Sequence, residues 1–189
     1  NKIKFDKKQK ILIYCWRGGL RSLSLYLVLK QIGYDVTLLD GGYKNYRRFV
    51  VKFFEISCEK YKFNQIMGVT GVGKTVFIKE LSKNYQVIDF EGLANHKGSI
   101  LGNIPNKNQP SQKYFETLIY EKLNSFNSKK NIWVEAESIK VGKLSIPSKI
   151  WKNMPLGKDV KVISSLEERV RFILKDYKYF TNTPSLMNE

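Results

Sequence analysis

The most constraining stretch of this chain is Gly68-Val69-Thr70-Gly71-Val72-Gly73-Lys74-Thr75, which satisfies G-x-x-x-x-G-K-[ST] in full. A short apolar run, Gln65-Ile66-Met67, precedes it and reads as a buried strand. Lys74–Leu81 follows as a helix, with Phe77 and Leu81 four apart on one face. The chemistry needs these residue types. Gly68, Gly71 and Gly73, with Thr70 among them, let the backbone curl so that successive N–H groups point at phosphate oxygens. The new helix adds the positive end of its dipole there. Lys74 supplies a mobile charge for an outer phosphate, and the Thr75 hydroxyl is placed to reach a magnesium ion. A plain glycine turn before a helix leaves the conjunction of fixed positions unexplained. Which phosphate compound is held stays open.

Upstream, Lys10–Tyr14 reads as a strand buried on both sides. It runs into Cys15-Trp16-Arg17-Gly18-Gly19-Leu20-Arg21-Ser22 and a helix to about Ile32. Leu23, Leu27 and Gln31 lie on one stripe of that helix, Leu25, Val28, Leu29 and Ile32 widen its apolar face, and Gly33 is placed to close it. Asp35–Leu39 is a second strand and Asp40-Gly41-Gly42 a turn. Strand, loop, helix, strand is a βαβ unit and implies a parallel sheet. Cys15 stands where strand gives way to helix, with Arg17 and Arg21 adding positive charge, a setting for a nucleophilic thiolate. Cys15 and Arg21 also fit C-x5-R-[ST], the anion-cradling loop of cysteine phosphatases. A rhodanese sulfurtransferase presents a closely similar loop, and the pattern does not separate the two. Cys58 lacks such a setting and reads as inert.

Tyr43–Tyr61 is aromatic and basic, with Arg47, Arg48 and Lys52, and reads as a helix linking two domains. Its basic aromatic face suits contact with RNA or packing against either domain. Beyond the phosphate loop, Tyr85–Phe90 reads as a strand delivering Asp89 and Glu91, and Gly92–Ser99 as a polar loop whose His96 is a structural hydrogen-bonder. Ser111–Phe126 is a helix with Phe115, Leu118, Ile119 and Leu123 turned inward. Asn131–Val134 is a strand delivering Glu135, with Glu137 on the same side, in the place where such sites order magnesium or water. Ile146-Pro147 and Met154-Pro155 bracket a short helical piece, and Val160–Ile163 reads as the last strand. Ser165-Leu166-Glu167-Glu168 is a capping box opening a helix to about Tyr177. Its Arg169 and Arg171 either close over bound phosphates or belong to a solvated face.

The net charge of +16, from 33 Lys+Arg against 17 Asp+Glu, favours a polyanionic partner, although a genome biased toward Lys, Asn, Ile and Tyr codons gives the same excess. Two cysteines make no disulfide framework, so a reducing cytosol is the expected setting. The apolar runs are too short for a bilayer, and no membrane role is expected.

Taken together, these residues resemble the tRNA 2-selenouridine synthase family, in which a rhodanese domain is joined to a phosphate-loop domain. The resemblance rests on Tyr14–Ser22, on the phosphate loop, and most specifically on Asp89-Phe90-Glu91-Gly92-Leu93-Ala94-Asn95-His96-Lys97-Gly98-Ser99. Val134-Glu135-Ala136-Glu137-Ser138, Gly142 and Ile146-Pro147 also fit it. The fold implied is α/β. A partial rhodanese-like parallel sheet (1–55) and a link (56–64) precede a three-layer phosphate-loop domain (65–189). A rhodanese domain has several elements before its cysteine; only fourteen residues precede Cys15, so the chain reads as a fragment. The activity implied is conversion of wobble 2-thiouridine in tRNA to 2-selenouridine in the cytoplasm. The sulfur is first geranylated from geranyl diphosphate and then displaced by selenium from selenophosphate. Cys15 corresponds to the family's rhodanese cysteine, a carrier of selenium as selanyl-cysteine, and Gly68–Thr75 would hold a diphosphate leaving group. No permanently bound cofactor is implied. Two other readings stay open: a phosphate-loop kinase or nucleotidase with a rhodanese remnant, and a non-catalytic RNA-binding fragment.

Overall fold

A computed structural model describes residues 6–99, 102–136 and 138–178. The chain divides into two compact units, Asn1–Lys52 and Phe53–Glu189.

The first unit is a βαβ arrangement, as the alternation of apolar strands and one helical stretch predicts. Strands β1 (Lys10–Ile13) and β2 (Asp35–Leu38) pair in parallel, Lys10 opposite Asp35 and Ile13 opposite Leu38. Helix α1 (Leu20–Gln31) joins them and ends at Gly33, where the Tyr34 N–H donates to Leu29 O and the Gly33 N–H to Lys30 O. Burial departs from expectation. Leu12 of β1 is 55% exposed and Tyr14 beyond it 54%, so this strand is not buried on both sides. The apolar face of α1 is likewise open at Leu23, Leu27 and Val28. The physical reason is that β1 has β2 as its sole strand partner among the described residues, and the buried apolar side chains here are Ile13, Val36 and Val50.

Helix α2 (Gly42–Ile56) runs from this unit into the second. Phe53 and Phe54 at its end are buried, and Phe53 meets Tyr120 edge-on with ring centres 4.9 Å apart. Residues 56–64 are not a bare connection: Cys58, Tyr61 and Phe63 are buried, and the Tyr61 hydroxyl donates to Leu123 O at 2.8 Å.

The second unit is built on a parallel sheet of β3 (Phe63–Met67), β4 (Gln86–Ile88), β5 (Ile132–Glu135) and β8 (Asp159–Lys161), in the order β4-β5-β3-β8. Phe63 and Ile66 of β3, Ile132 and Val134 of β5, and Phe115, Ile119 and Leu123 of α5 (Gln112–Ser125) supply its fully buried core. Those α5 residues recur every fourth position and form one stripe. Helix α3 (Lys74–Leu81) buries Ile78 against Ile66 and Val87, with Leu81 packed beside them, while Phe77 faces outward at 39% exposure. The last strand is Asp159–Lys161, not 160–163. Val160 is 38% and Ile163 79% exposed, as a short edge strand allows.

Between α5 and that edge lie a two-stranded hairpin, β6 (Lys140–Val141) with β7 (Leu144–Ser145), and helix α6 (Ser148–Asn153). Helix α7 (Leu166–Asp176) opens on the expected capping box, Ser165 Oγ accepting from Glu168 N–H and Glu168 Oε2 accepting from Ser165 N–H. Among the described residues no helix is long and apolar enough to cross a membrane. The class is α/β.

Candidate active sites: a thiol loop and a phosphate loop

In the first unit, β1 ends just before Cys15, and the chain curls through Gly18 and Gly19 into α1. Two neighbours donate to the Cys15 Sγ: the Gly19 N–H and the Ser22 hydroxyl, each at 3.2 Å. The Ser22 bond is the largest influence on this thiol; together with the N–H groups of Gly19, Arg17 and Gly18 it draws the pKa from 9.0 to about 6. At neutral pH Cys15 is a thiolate.

Arg17 and Arg21 are exposed, and neither guanidinium is among the causes of that shift. One hydroxyl and backbone N–H groups stabilise the thiolate, because they point at the sulfur from within hydrogen-bonding reach. Ser22, 2% exposed, is the serine of the C-x5-R-[ST] pattern, and its hydroxyl reaches the sulfur from one turn into the helix.

The loop is clamped by α2. The Tyr43 N–H donates to Cys15 O at 3.0 Å and the Lys44 N–H to Trp16 O at 2.9 Å. Gly42 (φ +60°) sits so close that a Cβ would lie 2.2 Å from Cys15 O, so only glycine fits.

Cys58 is the opposite case. It is 1% exposed, and burial pushes its thiol up to about 12. Titration separates the two cysteines. We predict that the alkylation rate of Cys15 by iodoacetamide is half-maximal near pH 6 and levels off about two units higher, where the reactive thiolate is fully formed. Ser22→Ala moves that midpoint upward, toward an ordinary thiol's. An unchanged midpoint, read by mass spectrometry of the labelled peptide, would show that Ser22 does not set it.

In the second unit, β3 delivers Gly68–Thr75 at its C-terminal end, and α3 begins at Lys74. Lys74 Nζ donates to Gly68 O at 3.0 Å, so the lysine lies along its own loop. Glu135 ends β5 beside β3, in register with Ile66, and is 1% exposed. Glu137 lies outside the described residues.

The expected strand 85–90 is shorter. Asp89 caps a helix, α4 (Phe90–Ala94), its Oδ1 accepting from Gly92 N–H at 2.7 Å. Gly92–Ala94 is thus helical, not loop, because an aspartate three residues before a free N–H is a natural cap. The turn carries Glu91 to the loop, its Oε2 3.5 Å from Thr75 Oγ1. His96 is buried between Gly102 and Gly142, Nδ1 accepting from Gly98 N–H at 3.1 Å, and burial lowers its pKa. It is neutral at pH 7 and acts as a scaffold.

These pieces enclose a cleft of about 450 Å3, lined by Thr70, Gly71, Gly73, Lys74 and Thr75, by Asp89, Glu91 and Glu135, and by α7. Arg169 of α7 donates from Nε to Thr70 O at 3.0 Å, while Arg171 is exposed. Lys97 bonds Asp176 at 2.8 Å and lies 4.5 Å over the Tyr177 ring, and the Ser99 and Tyr177 hydroxyls share a hydrogen bond of 2.8 Å. So α7 is tied at one end to the phosphate loop and at the other to the turn after α4. Gly71 (φ +83°) is where the first contact is closest: a Cβ there would lie 2.7 Å from Ile173. We predict that Gly71→Ala loosens α7 by about 1–3 kcal/mol. Amide exchange across Leu166–Asp176 would then quicken by about 5- to 150-fold; unchanged exchange would mean that this contact does not hold the helix.

A parallel α/β unit with a phosphate loop after an inner strand and an acid ending its neighbour, preceded by a βαβ unit with a thiolate loop, defines a rhodanese-type segment joined to a phosphate-loop domain. The family comparisons agree. The model described as the tRNA 2-selenouridine synthase AAA domain matches residues 61–186, and the rhodanese-like domain model matches 1–48. The chain belongs to the tRNA 2-selenouridine synthase family. Proteins named tRNA 2-selenouridine synthase are similar to it: 33% identical over 92% of this chain in Shewanella piezotolerans, 35% over 89% in Nitrosomonas europaea, and 36% over 87% in Alcanivorax borkumensis. These matches cover 47%, 44% and 45% of the relatives, so the chain spans about half their length. No solved structure matches.

Proposed function

We propose that this chain carries the chemistry of a tRNA-modifying enzyme that converts wobble 2-thiouridine to 2-selenouridine. The observation that carries the reading is Cys15, a thiol held near pKa 6 by the Ser22 hydroxyl and inward N–H groups, in a chain whose second unit matches this family's own domain. In the first step the thiouridine sulfur attacks C1 of geranyl diphosphate. A C–S bond forms, the C–O bond breaks, and diphosphate leaves with the electron pair. Gly68, Thr70, Gly71, Gly73, Lys74 and Thr75 bind that diphosphate; inward N–H groups and a lysine stabilise charge that grows as the bond breaks. In the second step the Cys15 thiolate attacks phosphorus of selenophosphate: an S–P bond forms, the P–Se bond breaks and hydrogen selenide leaves. The selenide adds at C2 of the base, the C2–Se bond forms, and the C2–S bond breaks with geranylthiol leaving with the electron pair and a proton. Water then hydrolyses the S–P bond to phosphate and frees Cys15.

Where magnesium is bound, Thr75 Oγ1 and Glu91 would hold it, and it would offset diphosphate charge. The donor set fits such use, since Mg2+ takes one or two protein oxygens and completes its shell with phosphates and water. Among the described residues no cluster of three His, Cys, Asp or Glu side chains could hold a metal alone. The charge of +16 suits tRNA. The test is mass spectrometry of nucleosides from thiolated tRNA incubated with the chain, geranyl diphosphate and selenophosphate. 2-Selenouridine is expected; ATP turnover without any change in the thiouridine would replace this reading with the kinase one.

A further inference from the structure

We propose that the Cys15 loop and the exposed side of α2 form a docking surface for single-stranded RNA, in which Trp16 stacks a nucleobase beside the reactive sulfur and Lys44, Arg48 and Lys52 take the phosphates leading to it. The proposal deepens the tRNA reading above and rests on it. Its first ground is an aromatic ladder. The Trp16 ring, next in sequence to Cys15, is 48% exposed. It lies 5.4 Å from the Tyr43 ring, which lies 6.2 Å from that of Tyr46. The two hydrogen bonds that clamp α2 to this loop run from Tyr43 and Lys44 to the carbonyls of Cys15 and Trp16, so the ladder is fixed relative to the sulfur. A fixed, half-exposed indole is a platform that any base can stack on.

The second ground is charge. Lys44, Arg48 and Lys52 are exposed and four residues apart, which sets them in one stripe with a rise of about 6 Å per step. That step is close to the separation of successive phosphates along a strand. No ion pair engages these three among the described residues, and the first turn of α2 holds no acid, so the positive helix end is not offset. On the helical wheel Arg47 falls between Tyr43 and Lys44, joining ladder to stripe. A basic track beside an aromatic platform is how single strands are held without sequence readout. An acidic peptide would use the lysines but would have no need of the indole.

The experiment is fluorescence anisotropy of a labelled RNA hairpin with a single-stranded, uridine-containing loop, titrated with the chain. Trp16→Ala and Trp16→Leu are expected to weaken binding by about 5- to 150-fold, and Trp16→Phe to keep most of it. Replacing Lys44, Arg48 and Lys52 together by alanine should lower the slope of log K against log salt by about 2. The pH midpoint of Cys15 alkylation, unchanged in Trp16→Leu, checks that the loop is intact. If the unaltered chain binds the hairpin and Trp16→Leu, with its loop intact, binds equally well, the docking surface is wrong while the tRNA reading stands. An unchanged salt slope in the triple variant overturns the phosphate track. If the unaltered chain binds no RNA, both readings fall.

Discussion

On the proposed function, Cys15→Ala is expected to lower selenium incorporation by on the order of 10^3-fold or more, the scale expected when the one nucleophile of a step is removed, and to leave tRNA geranylated. The sulfur receives hydrogen bonds from Gly19 N–H and Ser22 Oγ, and a thiolate is the form that both stabilise. Alanine leaves those donors aimed at nothing and leaves the phosphate loop, in the other unit, as it was. Cys58→Ala provides the contrast. That thiol is buried and held protonated up to about 12, so its loss costs packing in the second unit and no chemistry. Liquid chromatography of nucleosides digested from reacted tRNA reads both outcomes. Equal losses of selenouridine from the two variants would sink the assignment of Cys15.

What could be read from the residues was whatever depends on neighbours in sequence. The strand and helix on either side of Gly68–Gly73, the capping box at Ser165 and the βαβ unit around Cys15 are such features, and each is formed as predicted. What could not be read was decided by contacts distant in sequence. The apolar residues of α1 signal burial, yet burial needs a partner layer, and the described part of this unit does not cover them. The Asp89 cap was hidden because Tyr85–Phe90 has strand composition; the aspartate side chain claims Gly92 N–H and turns the backbone into α4. Helix α7 was legible as a helix, but its seat over Gly71, and the use of Arg169 on a loop carbonyl, come only from the fold. Ser22 was legible as the serine of C-x5-R-[ST], while its direct bond to the sulfur comes from the fold.

Lys74→Ala should block geranylation, by about 10^2- to 10^3-fold, while the same variant still converts tRNA that was geranylated beforehand. The direction follows from where charge develops. In the proposed geranyl step a diphosphate departs, and its growing negative charge would be met by N–H groups of Gly68–Thr75 and by Lys74. That lysine now lies 3.0 Å from Gly68 O and can turn to a phosphate oxygen within the same loop. In the proposed selenium step the leaving group would be geranylthiol, which offers such a loop nothing to hold. The two variants are therefore expected to fail in opposite order: Cys15→Ala accumulates geranylated tRNA, and Lys74→Ala accumulates none yet finishes it when supplied. Chromatography of nucleosides from both variants, each given thiolated and pre-geranylated tRNA, separates the steps. Loss of selenation on the pre-geranylated substrate in Lys74→Ala would show that the phosphate loop serves the selenium step as well, and the division of labour between the two units would be wrong.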